Sequence, residues 1–529
     1  MFSPHRRQPA ASHGERDWQP PCYTEGRFYL LKINNVPNQL ITATVNKRQT
    51  DSRSQQLPHP WIWIAGLTIL AACLRAIGMN RGLWWDEIYF LIISVRHPLS
   101  EIITIFPGDT QHPLYSILAK LTVVAFGEHP WTLRLPAVFF GVASIPTLYW
   151  LGASVTRRIE AVLAAALLAI SYHHVWFSQN ARGYTALAFW TLLSTCFLLR
   201  GLQTGRRVPF ILYGLTIGLG VYTHLTMMFV VASHVLICAG DVAAGWQNGS
   251  GPRNWKFPLQ GFLTGGALTV LLYAPILTQV QNFFLHRPSS MRAVSTPGWA
   301  LWETLRGLTL GFGTTAALFG ATVLVTFGAW SYFKQSRLIF ALFALPGVLT
   351  ALGAVVARGT MYPRFYFSLI GFAVLVLIRG VFAFSEWIGM TTRSQRVTTV
   401  LTAVLMTCLL TASGVSLLRN YRYPKQDFEG AIQFVDSHRS NGEIVATAGA
   451  STYPMRQYYG KSWEVIENAS GLQEICRQGR PVWLVYTFPR YLEAAMPGIS
   501  DVIRKEFKIV QVLPGTLGDG NLFIARFQP

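Results

Sequence analysis

Apolar runs long enough to cross a lipid bilayer recur along residues 58–418, and such runs leave the backbone one economical solution. Inside hydrocarbon every N–H and C=O needs a partner within its own segment, and an α-helix of about 20 residues supplies them. The first run is PWIWIAGLTILAACLRAIGM, residues 60–79. Others lie near 133–155, 159–177, 183–203, 208–224, 225–243, 257–277, 306–333, 338–357, 363–384 and 397–418. The chain therefore reads as an all-α polytopic membrane protein of eleven spans. Charge agrees: only 13% of the 529 residues are charged while 51% are hydrophobic. Soluble domains carry roughly 25% charged residues, so a disordered chain, a coiled coil and an ordinary soluble enzyme are excluded.

The charge that is present is unbalanced, with 44 Lys+Arg against 24 Asp+Glu and a net charge of +20. In a soluble chain this excess would suggest nucleic acid. In a membrane chain its partners are anionic head groups or an anionic lipid-linked substrate, and no nucleic acid is expected. The cysteines (Cys22, Cys73, Cys196, Cys238, Cys408, Cys476) are far apart and form no CxxC, so neither a disulfide framework nor a zinc site is indicated.

Three regions follow. Residues 1–57 are polar and Pro-rich without a signal-peptide pattern, which suggests a poorly ordered cytoplasmic leader. Residues 58–419 carry the spans. Residues 420–529 turn soluble, with helical patterns at 426–438, 472–479 and 491–507 and strand patterns at 442–449, 482–487, 508–514 and 521–527. These make a small α/β domain outside the membrane. Segment 112–127 is apolar but short, with Lys120 in its middle, and reads as interfacial. The turns Arg157-Arg158, Arg206-Arg207, Arg253/Lys256, Lys334/Arg337 and Arg393/Arg396 then share the N-terminal side. The positive-inside rule makes that side cytoplasmic and leaves the C-terminus outside.

Acids are few enough for their positions to be informative. Between 58 and 418 they are Asp86, Glu87, Glu101, Asp109, Glu128, Glu160, Asp241, Glu303 and Glu386, and five lie in the first outer loop, 80–130. That loop opens Arg81-Gly-Leu-Trp-Trp-Asp-Glu-Ile-Tyr89. Two adjacent carboxylates at the rim of a span are costly to desolvate and point to function. The same residues also fit an aromatic belt with two solvated acids.

Trp84-Trp85-Asp86-Glu87, Gln111-His112-Pro113-Leu114-Tyr115, Leu133-Arg134-Leu135-Pro136, Ser178 to Tyr184 (SQNARGY) and Tyr362-Pro-Arg364-Phe-Tyr366 follow in order, each on the outer face of this topology. Over residues 60–385 the set resembles the GT-C glycosyltransferases of the protein O-mannosyltransferase and aminoarabinose-transferase type. The resemblance implies a sugar donor on a polyprenyl phosphate and transfer to an acceptor (lipid, cell-surface glycan or protein) at the outer face of the plasma membrane. It also implies inversion at the anomeric carbon, with Asp86 as base and Glu87 beside it, orienting the acceptor or facing water. The leaving lipid phosphate needs positive groups; Arg364 is the first candidate, followed by Arg182 and His112. In the aminoarabinose branch a Lys stands where this chain has His112, which leaves the role of His112 open. Trp85, Tyr115, Tyr184 and Tyr366 are candidate donor or acceptor contacts. Arg134 has an alternative as a loop anchor through Glu101, Asp109 or Glu128.

Metal use varies among GT-C branches, so a divalent metal stays open. Adjacent His173-His174 point to different helix faces and do not chelate by themselves, and His224 and His234 fit interior roles. The competing functions are a transporter and a flippase or polymerase of lipid-linked saccharides. A transporter would show a repeat of broken helices, and none is evident. The other two lack a Trp-Asp-Glu loop directly after the first span.

Overall fold

The computed structural model describes residues 59–108, 111–247, 255–286, 297–312, 314–356 and 363–529. The leader, Asp109, Arg253 and Tyr362 lie outside the described residues. After α1 (Pro60–Ala76) comes an outer loop with three helices, α2 (Trp85–Phe90), α3 (Leu99–Thr104) and α4 (Pro113–Phe126). The bundle continues through α5 (Pro130–Val155), α6 (Arg158–Ile170), α7 (Tyr172–Ser178), α8 (Tyr184–Thr204), α9 (Arg207–Thr223) and α10 (Met227–Gln247). It ends with α11 (Lys256–Tyr273), α12 (Leu277–Leu285), α13 (Pro297–Phe312), α14 (Thr315–Gln335), α15 (Arg337–Val356), α16 (Ile370–Thr391) and α17 (Gln395–Arg422).

Among the described residues, six helices are long and apolar enough to cross a membrane, and the bent pair α6–α7 makes a seventh. The count of eleven spans includes shorter apolar helices such as α1, α10 and α15. One run departs from the sequence reading. Residues 306–333 are not a single span, because α13 ends at Phe312 and α14 begins at Thr315, where the Thr314 side chain caps the new helix.

Ion pairs and close packing hold the bundle. Arg379 on α16 bonds Glu160 and Glu386 at 2.7 Å each, and Arg157 joins Glu386 at 2.6 Å. Gly328 on α14 and Gly380 on α16 sit where a Cβ would collide with the facing helix's backbone, the close approach that small residues allow between membrane helices. The Gln335 side chain reaches the Val155 carbonyl, so the basic turns at 155–158 and 334–337 lie at one end of the bundle. The loop-one residues lie at the other.

The C-terminal region is an α/β unit of α18 (Phe428–His438), β1 (Ile444–Ala448), α19 (Thr452–Gln457), β2 (Glu464–Ile466), α20 (Ala469–Arg477), β3 (Val482–Thr487), α21 (Pro489–Ala495), α22 (Pro497–Glu506), β4 (Lys508–Leu513) and β5 (Leu522–Phe527). Its five-stranded sheet has the order β2-β1-β3-β5-β4. β1 runs parallel to β2 and β3, whereas β5 is antiparallel to β3 and β4. The helix expected over 491–507 is two helices, because Pro497 lacks the N–H to continue α21 and serves instead at the start of α22.

Successive strand residues face opposite sides, and both sides of the central strand β3 are buried. Val482, Leu484 and Tyr486 pack under α20 and α22 with Leu472, Ile499 and Val502. Trp483, Val485, Leu522 and Ile524 share a core with Phe428, Ala431 and Val435 of α18. That second core continues into loop one through Leu83, Ile88, Phe90 and Leu91, and on to Tyr115 and Leu133. The C-terminal unit and the outer loop are thus packed as one body.

Candidate active site

Asp86 lies in the first turn of α2, a helix of six residues. Its Oδ2 accepts a 3.1 Å hydrogen bond from Nη1 of Arg364, with both side chains partly exposed. Arg364 comes from the 3-10 segment Pro363–Leu369 that leads into α16. The segment is seated by Phe367, whose ring lies 4.0 Å from that of Phe177 on α7. The carboxylate partner that the sequence could not supply near Arg364 is therefore Asp86, 278 residues away.

Glu87 has a different environment and is 0% exposed. Its Oε1 accepts from Arg134 Nε at 2.8 Å and from the Ala181 backbone N–H at 2.7 Å, and its Oε2 accepts from Arg134 Nη2 at 2.6 Å. Arg134 spends its remaining donors on the carbonyls of Met79, Arg81 and Gly82. Burial by itself would raise the Glu87 carboxyl, but the charge and hydrogen bonds of Arg134, with Lys425 and the Ala181 N–H, hold it below its usual range. This corrects two sequence expectations. Glu87 does not face water, and Arg134 anchors the loop through Glu87 rather than through Glu101 or Glu128, which pair with His97 and Arg96.

The phosphate candidates gather beside Arg364. Arg182, in the turn between α7 and α8, is 3% exposed, and its Nε has no hydrogen-bond partner among the described residues. His112 is buried with its ring centroid 4.7 Å from that of His224 and 5.2 Å from that of Tyr184. Burial, then the charges of Arg182, His224 and Arg364, push the His112 imidazole well below its usual pKa. His224 also lies 6.0 Å, ring to ring, from Phe365, the neighbour of Arg364. Two guanidinium groups and two buried rings therefore converge at the outer end of the bundle. His224 was not among the sequence candidates. A histidine at the outer end of an apolar run carries no local signal, and only the fold brings it to His112.

The aromatic candidates separate. Tyr184 borders the basic cluster. Trp85 stacks on Tyr89 at 5.2 Å and lies near Tyr453 of α19. Tyr366 is half-buried on the Arg364 segment. Tyr115 is 0% exposed and donates to the Leu133 carbonyl at 2.8 Å, so its hydroxyl is engaged within the core. Among the described residues no three His, Cys, Asp or Glu side chains form a cradle for a metal ion. His174 lies against Arg75.

The family model of dolichyl-phosphate-mannose-protein mannosyltransferase matches residues 110–249, the stretch holding His112, Arg134, Arg182, Tyr184 and His224. The oligosaccharyltransferase of Archaeoglobus fulgidus, in its apo form, superposes with a TM-score of 0.53 at 12% identity, covering 86% of this chain and 73% of that one. Apo ArnT from Cupriavidus metallidurans superposes at 0.50 with 13% identity, covering 88% and 97%. The fold is that of the GT-C glycosyltransferases. A structure of the same ArnT bound to undecaprenyl phosphate gives 0.49 at 12% identity over 88% and 97%. No curated protein matches the chain in sequence.

Proposed function

We propose that this GT-C protein transfers a sugar from a polyprenyl phosphate to an acceptor hydroxyl at the outer face of the plasma membrane. The observation that carries the reading is Arg182, a buried guanidinium whose Nε has no partner among the described residues, set with Arg364, His112 and His224. A buried cation without a counter-charge is expensive, and a lipid phosphate arriving at the membrane surface supplies that charge. The matched family, named for a dolichyl-phosphate sugar donor, supports the same donor class.

In the proposed reaction the acceptor oxygen bonds to the anomeric carbon as the bond from that carbon to the phosphate oxygen breaks. The acceptor proton passes to Asp86, and the lipid phosphate leaves with the bonding pair. Arg182 and Arg364 stabilise the charge growing on it. The Arg364 contact now engages one oxygen of Asp86 and faces its negative charge. A donor phosphate competing for Arg364 would free that oxygen, so donor binding would prepare the base. Glu87 and Arg134 act beneath the site as its support.

Purified full-length protein should transfer sugar from a polyprenyl-phosphate donor. Arg364→Ala and Arg182→Ala should each weaken donor binding ~10–100-fold, about the 1.5–3 kcal/mol of a hydrogen bond to a charged group, while the donor-free protein melts as the wild type does. Arg364→Lys keeps the charge without the fork and should retain partial activity. Unchanged donor affinity in both Ala variants would overturn the phosphate assignment. The membrane orientation has its own test: a reporter after residue 425 should be active outside the cytoplasm, and one at 204–207 inside. If both report one side, the eleven-span topology fails, and with it the outward placement of Asp86 and Arg182.

A further inference from the structure

The helical stretch that carries Asp86 is short, α2 running on only through a π-helical turn to Val95, and isolated helices below about 12 residues are marginal in water. Yet α2 presents Asp86, and a base misplaced by about 1 Å can lose ~10²-fold in rate. Two buried anchors fix the helix. One is the Glu87–Arg134 pair. The other comes from the C-terminal unit, 341 residues away: the Oε1 of Gln426 accepts the backbone N–H of Trp85 at 2.9 Å. That N–H belongs to the first helical turn, where no intrahelical acceptor exists. Gln426 thus caps α2 from another part of the chain.

The cap is itself held. Gln426 is 2% exposed, and its Nε2 donates to Thr487 Oγ1 at 3.1 Å, while Thr487 Oγ1 donates to the Asn521 carbonyl at 3.0 Å. With its hydrogen so committed, Thr487 can only accept from Gln426, which fixes the amide with its oxygen toward Trp85. The flanking junction is fastened to the turn that carries Arg182. Lys425 Nζ donates to the Gln179 carbonyl at 2.5 Å, and Asn420 donates to the Gln179 side chain at 2.7 Å. Trp176 Nε1 donates to Thr516 Oγ1 at 2.9 Å. Burial brings the Lys425 ammonium down to about 7 against the pull of Glu87, as befits an amine enclosed between the two parts.

We infer that Gln426, oriented by Thr487, is a positioning residue for Asp86, so that the C-terminal unit completes the catalytic loop. This rests on the reading of Asp86 as the base. In full-length protein, Gln426→Ala should lower kcat ~10–100-fold with donor affinity unchanged, and Thr487→Val should give a smaller loss, because the amide keeps its acceptor but loses its orientation. In an Asp86→Asn background, Gln426→Ala should cost little more, since residues acting through one group are not additive. Wild-type kcat in Gln426→Ala, or an equal further loss in the Asp86→Asn background, would overturn the inference. Amide hydrogen exchange over residues 83–90 reads the cap without any assay of transfer. It should speed up in Gln426→Ala, and unchanged exchange there also overturns the inference. Faster exchange in Gln426→Ala, together with a wild-type protein that transfers no sugar, would instead leave the cap standing and remove the proposed function.

Discussion

Asp86→Asn is expected to lower sugar transfer by roughly 10²–10⁴-fold, the usual contribution of a positioned general base, while the protein folds and binds donor as before. The substitution is nearly isosteric, and the Asn oxygen can still accept from Arg364, so the 3.1 Å contact has a replacement. What disappears is the ability to take the acceptor's proton. Single-turnover transfer from a polyprenyl-phosphate sugar measures this directly, with a thermal melt and donor titration alongside. Wild-type turnover in a well-folded Asp86→Asn protein would exclude Asp86 as the base and return the Trp84-Trp85-Asp86-Glu87 segment to an anchoring role. A collapse of donor affinity would mean that the carboxylate mainly orders Arg364.

Much of this site was legible in the sequence because charge is so rare in the bundle. Asp86, Arg182, Arg364 and His112 stand out against apolar neighbours, and the motif order placed them at one end. The loop-one helix within 112–127 and most strands of the C-terminal sheet were also legible from apolar pattern and length, whereas the two short helices before it in loop one were not. What the sequence hid were pairings across long separations. Nothing near Glu87 announces that Arg134 encloses it, and nothing near Arg364 names Asp86 as its partner. Gln426 looks like a polar residue at the start of an amphipathic helix, and its role appears only when the second face of the sheet is seen packed on loop one. The division within 306–333 was hidden for a different reason: both halves are apolar, and hydropathy does not register the local cap at Thr314 that starts a new helix.

The second large effect falls on stability. Glu87→Gln should destabilise the protein by about 3–5 kcal/mol, the cost of stripping one partner from a buried ion pair. Gln keeps the shape but leaves the Arg134 charge uncompensated in a site with no exposure. Replacing both residues by apolar ones would not restore the loss, because the carbonyls of Met79, Arg81 and Gly82 and the N–H of Ala181 would all lose partners. The pH dependence has a definite sign. Because the folded Glu87 carboxyl is held below its ordinary value, its stabilisation is present above the ordinary glutamate range and fades as pH falls through the lowered pKa. Wild-type stability should therefore drop more steeply than that of Glu87→Gln below about pH 4. Melts of both proteins across pH 3–7 test this, and parallel curves would show that Arg134 does not hold Glu87 ionised. The comparison also separates the adjacent acids: Asp86→Asn should spare stability and lower turnover steeply, whereas Glu87→Gln should lower stability and cost the folded fraction distinctly less turnover, through the placement of α2 alone. A stable Glu87→Gln protein that transfers no sugar would put Glu87 in contact with the chemistry after all.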